Sequence, residues 1–542
     1  MRTLPDAAAR VLVRGASLTA SWRDGLRVAF RARTAGRAAY VVDCSVSSTR
    51  RVRVGAVGVR MLGVPATRLL VDGFHSWDWA GVRATDAGRG WWGGVWGTPG
   101  GTCVSVGLDA PPKLGPLLIR WNNGSSLGAM SVGAPPQNRH ATGEPQLLGF
   151  DLRAGATLRG DPVRIAALDR RSPWGVAMPR LGPRDHRPLP RVAGWMSWNC
   201  LGPAATAADV VEAAASLVPP GGLALLDDGW MPLWGDWVER DDLDSSLAAL
   251  AEAVHATGRR FGLWVAPFLC DPESRTARAH PALLLRDAGG APVLSIRAPR
   301  PQQVLDASLR ATRAHLAALG RRLGRLGVDA LKLDFLFAGA LPGVRSEGCS
   351  DIAALRGGVA ALVHAYRNAA PRGARVLGCG APAAPLVGLL DACRSGDDSV
   401  LNVPSAHVET PPRPHFVYGE TVLRGQIRNA AARAWLWGAT MPADADAVSL
   451  AAVGDSPEPD ASFARRWLQL AERSGGPLLD SDAADGRVAA QRLRMLRRAQ
   501  QRVQGSAPRP LRTHDPLAGS PVDHDDPGFQ EWPEELPPGW DG

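Results

Sequence analysis

Lysine is almost missing from this chain. Of its 62 basic residues only Lys113 and Lys332 are lysines, and the others are arginines. Paired cysteines are missing too. The seven thiols (Cys44, Cys103, Cys200, Cys270, Cys349, Cys379 and Cys393) are scattered, odd in number and never spaced C-x-x-C. That pattern excludes a disulfide framework and a zinc ribbon. The eleven histidines form no H-x-H or H-E-x-x-H motif, so no metal and no cofactor are expected. No apolar run reaches the roughly 18 residues needed to cross a bilayer, so no membrane partner is expected. The first residues, Met1-Arg-Thr-Leu-Pro-Asp6, lack the continuous apolar core of a signal peptide, and cytoplasmic residence is the expectation. The net charge of +10 raises a nucleic-acid partner. The arginines, however, are spread out, with local pairs such as Arg170-Arg171 and Arg259-Arg260 and no long basic block with interleaved aromatics. Arginine-rich coding explains the charge more simply, and no nucleic acid is expected.

Against that background the ammonium at Lys332 stands out. It sits in an apolar run, Val328-Asp-Ala-Leu-Lys-Leu-Asp-Phe335, two residues before Asp334. Residues i and i+2 of a strand share a face, so Lys332 and Asp334 are predicted to project together. A compact positive charge there would hold the carboxylate ionised, as a nucleophile requires.

At 542 residues the chain is too long for one compact domain. Residues 1–175 carry short alternating segments such as Arg10–Arg14, Leu26–Phe30, Tyr40–Cys44, Arg51–Val59 and Leu117–Trp121. They predict an N-terminal antiparallel β-sandwich. A Pro/Arg-rich linker occupies 176–191. From 192 to 450, strand-like runs alternate with helical Ala/Leu/Arg patterns, which predicts a (β/α)8 TIM barrel of the usual length, about 250 residues. Its strands are read at Val192–Trp198, Leu223–Asp228, Phe261–Pro267, Ala330–Phe335, Arg375–Cys379 and Ala392–Asp398, with Ala434–Thr440 as the eighth. Residues 451–504 read as a helical C-terminal segment, and 505–542 as a disordered Pro/acidic tail. The fold class is thus multidomain, all-β followed by α/β.

Barrel enzymes work where the strands end. Here those ends carry Trp195 and Trp198, Asp227, Asp228 and Trp230, Trp264, Lys332 and Asp334, Cys379, and Arg394 with Asp397 and Asp398. Carboxylates with indoles, and no metal ligands, form a chemically narrow set. Sugar C–H faces stack on indoles, sugar hydroxyls donate to carboxylates, and glycosidic cleavage uses two carboxyl groups. Asp334 suits the group that meets the anomeric carbon. A carboxyl on the sixth strand suits the acid that protonates the leaving oxygen.

These residues also carry a family likeness. Gly194-Trp-Met-Ser-Trp-Asn199, Leu226-Asp-Asp-Gly-Trp230, Phe261-Gly-Leu-Trp-Val-Ala-Pro-Phe268, Lys332-Leu-Asp-Phe-Leu-Phe-Ala-Gly-Ala-Leu-Pro-Gly343, Gly378-Cys-Gly-Ala-Pro382 and Arg394-Ser-Gly-Asp-Asp398 follow one another in order. Together they resemble the signature segments of the α-galactosidases of glycoside hydrolase family 36, the melibiases, across roughly residues 60–450. The resemblance implies a retaining exo-α-galactosidase acting through a covalent galactosyl-aspartate. Asp334 would be the nucleophile and Asp398 the acid/base. Asp227 and Asp228 would accept from the sugar's O4 and O6 hydroxyls, and Lys332 and Arg394 would hold neighbouring groups. Trp77, Trp195, Trp198, Trp230, Trp264 and Cys379 would line the pocket, with Trp77 brought over the mouth from the N-terminal domain. The partner is an α-galactoside oligosaccharide or glycoconjugate, and family members often form oligomers. The segment Pro442-Ala-Asp-Ala-Asp-Ala447 keeps only part of a family motif, Leu283 replaces a common aromatic, and a C-terminal β-sandwich is not recognisable. Galactosyl transfer, α-N-acetylgalactosaminidase activity and non-catalytic sugar binding stay open as alternatives.

Overall fold

The computed structural model describes residues 10–508, apart from 15–16, 36–38, 55–57, 63–67, 78–79, 84–87, 98–101, 114, 116–117, 123–125, 131–149, 170–188, 296–299, 347–348, 397, 400–419, 434–440, 453–457 and 486–487. Most of the linker and nearly all of the acidic tail therefore lie outside the described residues, as does Asp397.

The N-terminal region is antiparallel. Thirteen strands form one sheet, with long registers between Leu26–Thr34 and Ala39–Ser48 and between Thr102–Leu108 and Val163–Asp169. A two-stranded sheet, Val52–Val54 with Phe150–Leu152, joins it through a buried cluster of Val46, Val54, Leu152 and Leu158. Alternation of apolar and polar residues gives these strands one packed and one wetter face.

The second region is a parallel barrel. Its strands are β1 (Ala193–Met196), β2 (Leu223–Leu226), β3 (Arg260–Val265), β4 (Ala330–Leu333), β5 (Arg375–Gly378), β6 (Ala392–Arg394), β7 (Ala443–Asp444) and β8 (Leu478–Asp480). They pair in sequence order, with β8 also pairing to β1. Bridges Ala443–Gly475 and Val448–Asp480 bring the β7 and β8 edges together. Every residue of β1, β2 and β4 is buried, as expected for strands covered on both faces.

The outer helices include α1 (Ala207–Ser216), α2 (Leu247–Ala256), α3 (Arg310–Arg325), α4 (Asp351–Ala369), α5 (Glu420–Ala432), α6 (Ala461–Arg473) and α7 (Ala490–Val503). Side-chain caps start several of them. Thr206 and Asp209 form a reciprocal box on α1, and Ser246 and Ser350 accept from the first-turn amides of α2 and α4. No described helix is long and apolar enough to cross a membrane.

The sequence places no seventh stave, and the eighth differs from the expectation. The candidate Ala434–Thr440 lies outside the described residues, and the eighth strand is Leu478–Asp480. It sits within the stretch read as the helical C-terminal segment, between α6 and α7. Strands of two or three residues leave no periodic pattern to read. Arg191, at the end of the expected linker, fastens this closure. Its guanidinium donates to the carbonyls of Ala471, Glu472 and Gly476 at 2.7–2.9 Å. The first two are last-turn carbonyls that the end of α6 leaves unsatisfied.

Candidate active site

Asp334 follows the last residue of β4 and is buried to 7% exposure. Two donors fix its carboxylate: the Trp264 indole Nε1–H bonds Oδ2 at 2.9 Å, and the Phe335 backbone N–H bonds Oδ1 at 2.7 Å. Phe335, which donates the second bond, has a left-handed backbone, φ +49°. That conformation costs roughly 1–2 kcal/mol for a residue with a side chain, and outliers of this kind cluster at functional sites. Phe335 belongs to a ring of aromatic contacts around the carboxylate. Its centroid lies 5.1 Å from Trp77 and 5.1 Å from Trp234, and Trp234 lies 5.1 Å from Trp264.

Lys332 does not bond Asp334, contrary to the sequence expectation. Its Nζ reaches across the barrel interior to Asp227 Oδ2 at 2.7 Å and touches Met196 Sδ at 3.6 Å. Same-face residues stand side by side along a strand, whereas a four-carbon stem reaches further inward. It finds a carboxylate at the end of β2, two strands away. Burial opposes charge on both partners of this contact. On Lys332 the attraction of Asp227, aided by Asp334, wins, and the ammonium is held above the ordinary lysine value. Asp227 also accepts the Asp228 N–H at 2.9 Å. Asp228 accepts from the Trp234 indole and the Gly229 amide at 2.9 and 2.8 Å. Burial, followed by the charges of Asp227 and Asp334, pushes Asp228 up to about 7 against those two donors.

On the other side of the mouth, Arg394 is enclosed by carboxylates. It donates to Asp398 Oδ1 at 2.9 Å, lies 2.5 Å from Asp446 Oδ1, and approaches Asp444 Oδ2 at 3.9 Å. Burial opposes the guanidinium charge, but Asp446, helped by Asp444 and Asp398, outweighs it and keeps Arg394 cationic. Asp398 is the one open member, with its side chain 38% exposed. Asp446 is held in turn by the Ser399 N–H at 2.7 Å. The β7 segment is therefore part of the cluster, although it keeps its family motif only in part.

The remaining residues separate by contact. Trp264 touches Asp334, and Trp77 covers Gly380 just beyond β5. At φ +54° Gly380 has no room for a side chain, because a Cβ would meet the Trp77 ring at 2.9 Å. Cys379 is buried beside the site, and burial pushes its thiol well up. Trp198 is half-buried on the turn after β1. Trp195 and Trp230 are buried in the barrel wall, with their indole N–H groups bound to the carbonyls of Asp482 and Trp264 at 2.7 and 2.9 Å. Neither indole N–H engages the carboxylates.

Several members were not singled out from sequence. Asp480, ending β8, is fully buried. Burial, then the charge of Asp482 and a side-chain hydrogen bond with it, push it well above the usual carboxylate range. Asp482 accepts the amides of Leu450 and Ala451. Arg433, just past α5, was one arginine among sixty, and no local signal distinguishes it.

Residues 206–336, the stretch from α1 to the turn after Asp334, match the melibiase family. A bifunctional alpha-galactosidase/sucrose kinase of Mediterraneibacter gnavus is 36% identical over 116 residues, 20% of this chain and 12% of that protein. Alpha-galactosidase AgaA of Geobacillus stearothermophilus is 42% identical over 67 residues, 11% of this chain and 9% of its own. The matched stretches thus span about an eighth or less of these two relatives. The fold is shared much more widely. Thermus thermophilus TtGalA, an alpha-galactosidase solved with p-nitrophenyl alpha-D-galactopyranoside, superposes with a TM-score of 0.62 at 22% identity, over 88% of this chain and 92% of that one. The family 36 alpha-galactosidase AgaA superposes with a TM-score of 0.64 at 14% identity, over 92% of this chain and 71% of its own. Residues 206–336 thus match the melibiase family, and the fold is similar to that of solved family 36 alpha-galactosidases.

Proposed function

We propose that this protein is an α-galactosidase that removes terminal α-galactosyl residues with retention of configuration. The observation that carries the reading is the held carboxylate of Asp334. It is aimed by one indole and one backbone amide, in a mouth whose other carboxylate, Asp398, is anchored on Arg394. Asp334 attacks the anomeric carbon while Asp398 gives its proton to the leaving oxygen, and a galactosyl-aspartate ester forms. Asp398 then takes a proton from water, which releases galactose and frees Asp334. Lys332 neutralises Asp227 beside the nucleophile. Asp227 and Asp228 have oxygens suited to accepting from the sugar's O4 and O6 hydroxyls. Trp77, Trp234 and Trp264 supply the apolar surround that a sugar's C–H face requires.

Further support comes from the relatives. TtGalA was solved with p-nitrophenyl alpha-D-galactopyranoside and with stachyose, and a variant of AgaA with raffinose. An α-galactoside oligosaccharide is accordingly the proposed substrate class. The test is a panel of aryl α- and β-glycosides of galactose, glucose and N-acetylgalactosamine. Turnover of the α-galactoside, lost in both Asp334→Ala and Asp398→Ala, is the expected result. Preferred turnover of the N-acetylgalactosaminide, or binding of galactose without turnover at any pH, overturns the assignment.

A further inference from the structure

The N-terminal sheet sends a loop, residues 72–77, to the barrel, and a buried arginine bonds it at several points. Arg433 is 2% exposed. Its Nε donates to Asp72 Oδ1 at 2.6 Å. One terminal nitrogen donates to the Ser76 carbonyl at 2.8 Å and to the Ser395 carbonyl at 2.7 Å, and the other to the His75 carbonyl at 3.1 Å. Asp72 ends a strand of the N-terminal sheet, and Ser395 is the residue directly after Arg394. One guanidinium therefore bonds the loop at three residues and the end of β6 at a fourth.

The rest of the loop is arranged to use that anchorage. Ser76 and Ala381 exchange two bonds: the Ser76 N–H donates to the Ala381 carbonyl at 2.9 Å, and the Ala381 N–H donates to the Ser76 hydroxyl at 3.1 Å. The His75 ring stacks on Phe337 at 5.0 Å, and Trp77 meets Phe335 edge-on at 5.1 Å. Behind the loop, Asn429 and Arg428 of α5 hold the N–H and carbonyl of Ala80. The fork geometry matters here, because only a planar group with several fixed donors can satisfy a carboxylate and three carbonyls together. An ammonium could keep the Asp72 contact but not the whole set.

We propose that Arg433, paired with Asp72, is a positioning residue for the sugar site. It acts as an interdomain latch that sets the Trp77 indole over the mouth in register with the strand end carrying Arg394. The inference rests on the α-galactosidase reading for its kinetic readout, and on structure alone for its second readout.

The experiment uses the full chain with Arg433→Lys, Asp72→Asn, Trp77→Ala and the Arg433→Lys/Trp77→Ala double variant. Arg433→Lys should lower kcat/KM on an aryl α-galactoside about tenfold or more, a size consistent with displacing a positioned group by about an ångström. Trp77→Ala should cost at least as much. Because the latch acts through the indole, the double variant should be no worse than Trp77→Ala alone. Losses that simply multiply would overturn the proposal. Hydrogen exchange supplies the second readout. In Arg433→Lys and Asp72→Asn, amides of residues 72–77 should exchange faster while those of β1–β4 keep wild-type protection. Unchanged exchange in the loop also overturns the latch. If the wild type turns over no α-galactoside, the proposed function fails, and the exchange measurement still decides the latch.

Discussion

Replacing Asp228 with asparagine should make the protein more stable and less active, with the stability gain confined to higher pH. Asp228 titrates near 7 in the folded chain because burial, and then Asp227 and Asp334, oppose its charge; its ordinary value is 3.8. A folded value above the unfolded one means that folding favours the protonated form. The favourable contribution is complete below about pH 4, is lost as pH rises toward 7, and is flat above that. At about 1.36 kcal/mol per pKa unit the full difference is ~4 kcal/mol. The side chain is partly open to solvent, which discounts the figure to ~1–2 kcal/mol. Asparagine mimics the protonated acid, and its amide oxygen can still accept from Trp234 and Gly229. Thermal unfolding of both forms at about pH 4 and about pH 8 should show equal midpoints at the lower pH. At the higher pH the variant should melt above the wild type by roughly 2–4 °C per kcal/mol, or somewhat less for a chain this long. Aryl α-galactoside turnover should fall about a hundredfold, since a neutral amide replaces an acceptor that strengthens hydroxyl bonds when ionised. A midpoint change of the same size at both pH values, or destabilisation at the higher one, would refute the reasoning.

Three further outcomes follow from the same geometry. Trp264→Phe keeps the ring but removes the indole donor on Asp334, so kcat should fall by about tenfold to a hundredfold with KM little changed, read in steady-state kinetics. Lys332→Met leaves Asp227 buried without its cation; denaturant unfolding should show a loss of roughly 3–5 kcal/mol, and Lys332→Arg should not fully restore it. Asp482→Asn should cost about 1–3 kcal/mol, by weakening the acceptor for the Leu450 and Ala451 amides.

The sequence made the barrel legible up to β6 because apolar runs such as Leu223–Leu226 and Ala330–Leu333 are separated by long amphipathic helices. It did not disclose β7 and β8. Two- and three-residue strands have no period, and their place is set by pairing to chain far away in sequence. The rim carboxylates were readable because they stand at strand ends beside signature segments. Their pairing was not, since Lys332 chooses between Asp334 beside it and Asp227 across the barrel by reach. Tryptophans at strand ends carry the same ambiguity. Trp264 turns its N–H to Asp334, while Trp195 and Trp230 turn theirs to backbone carbonyls. Arg433 had no signal at all, because arginine is the default base of this chain and only the meeting of two domains gives this one its four partners.

The role of Asp334 is tested most directly by the anomeric configuration of a rescued product. Asp334→Gly, supplied with an activated aryl α-galactoside and sodium azide, should be inactive without azide and should yield β-galactosyl azide with it, the small anion entering where the carboxylate attacked. Wild-type hydrolysis by Asp334→Gly without azide, or an α-configured azide, would contradict a nucleophile at the end of the fourth strand.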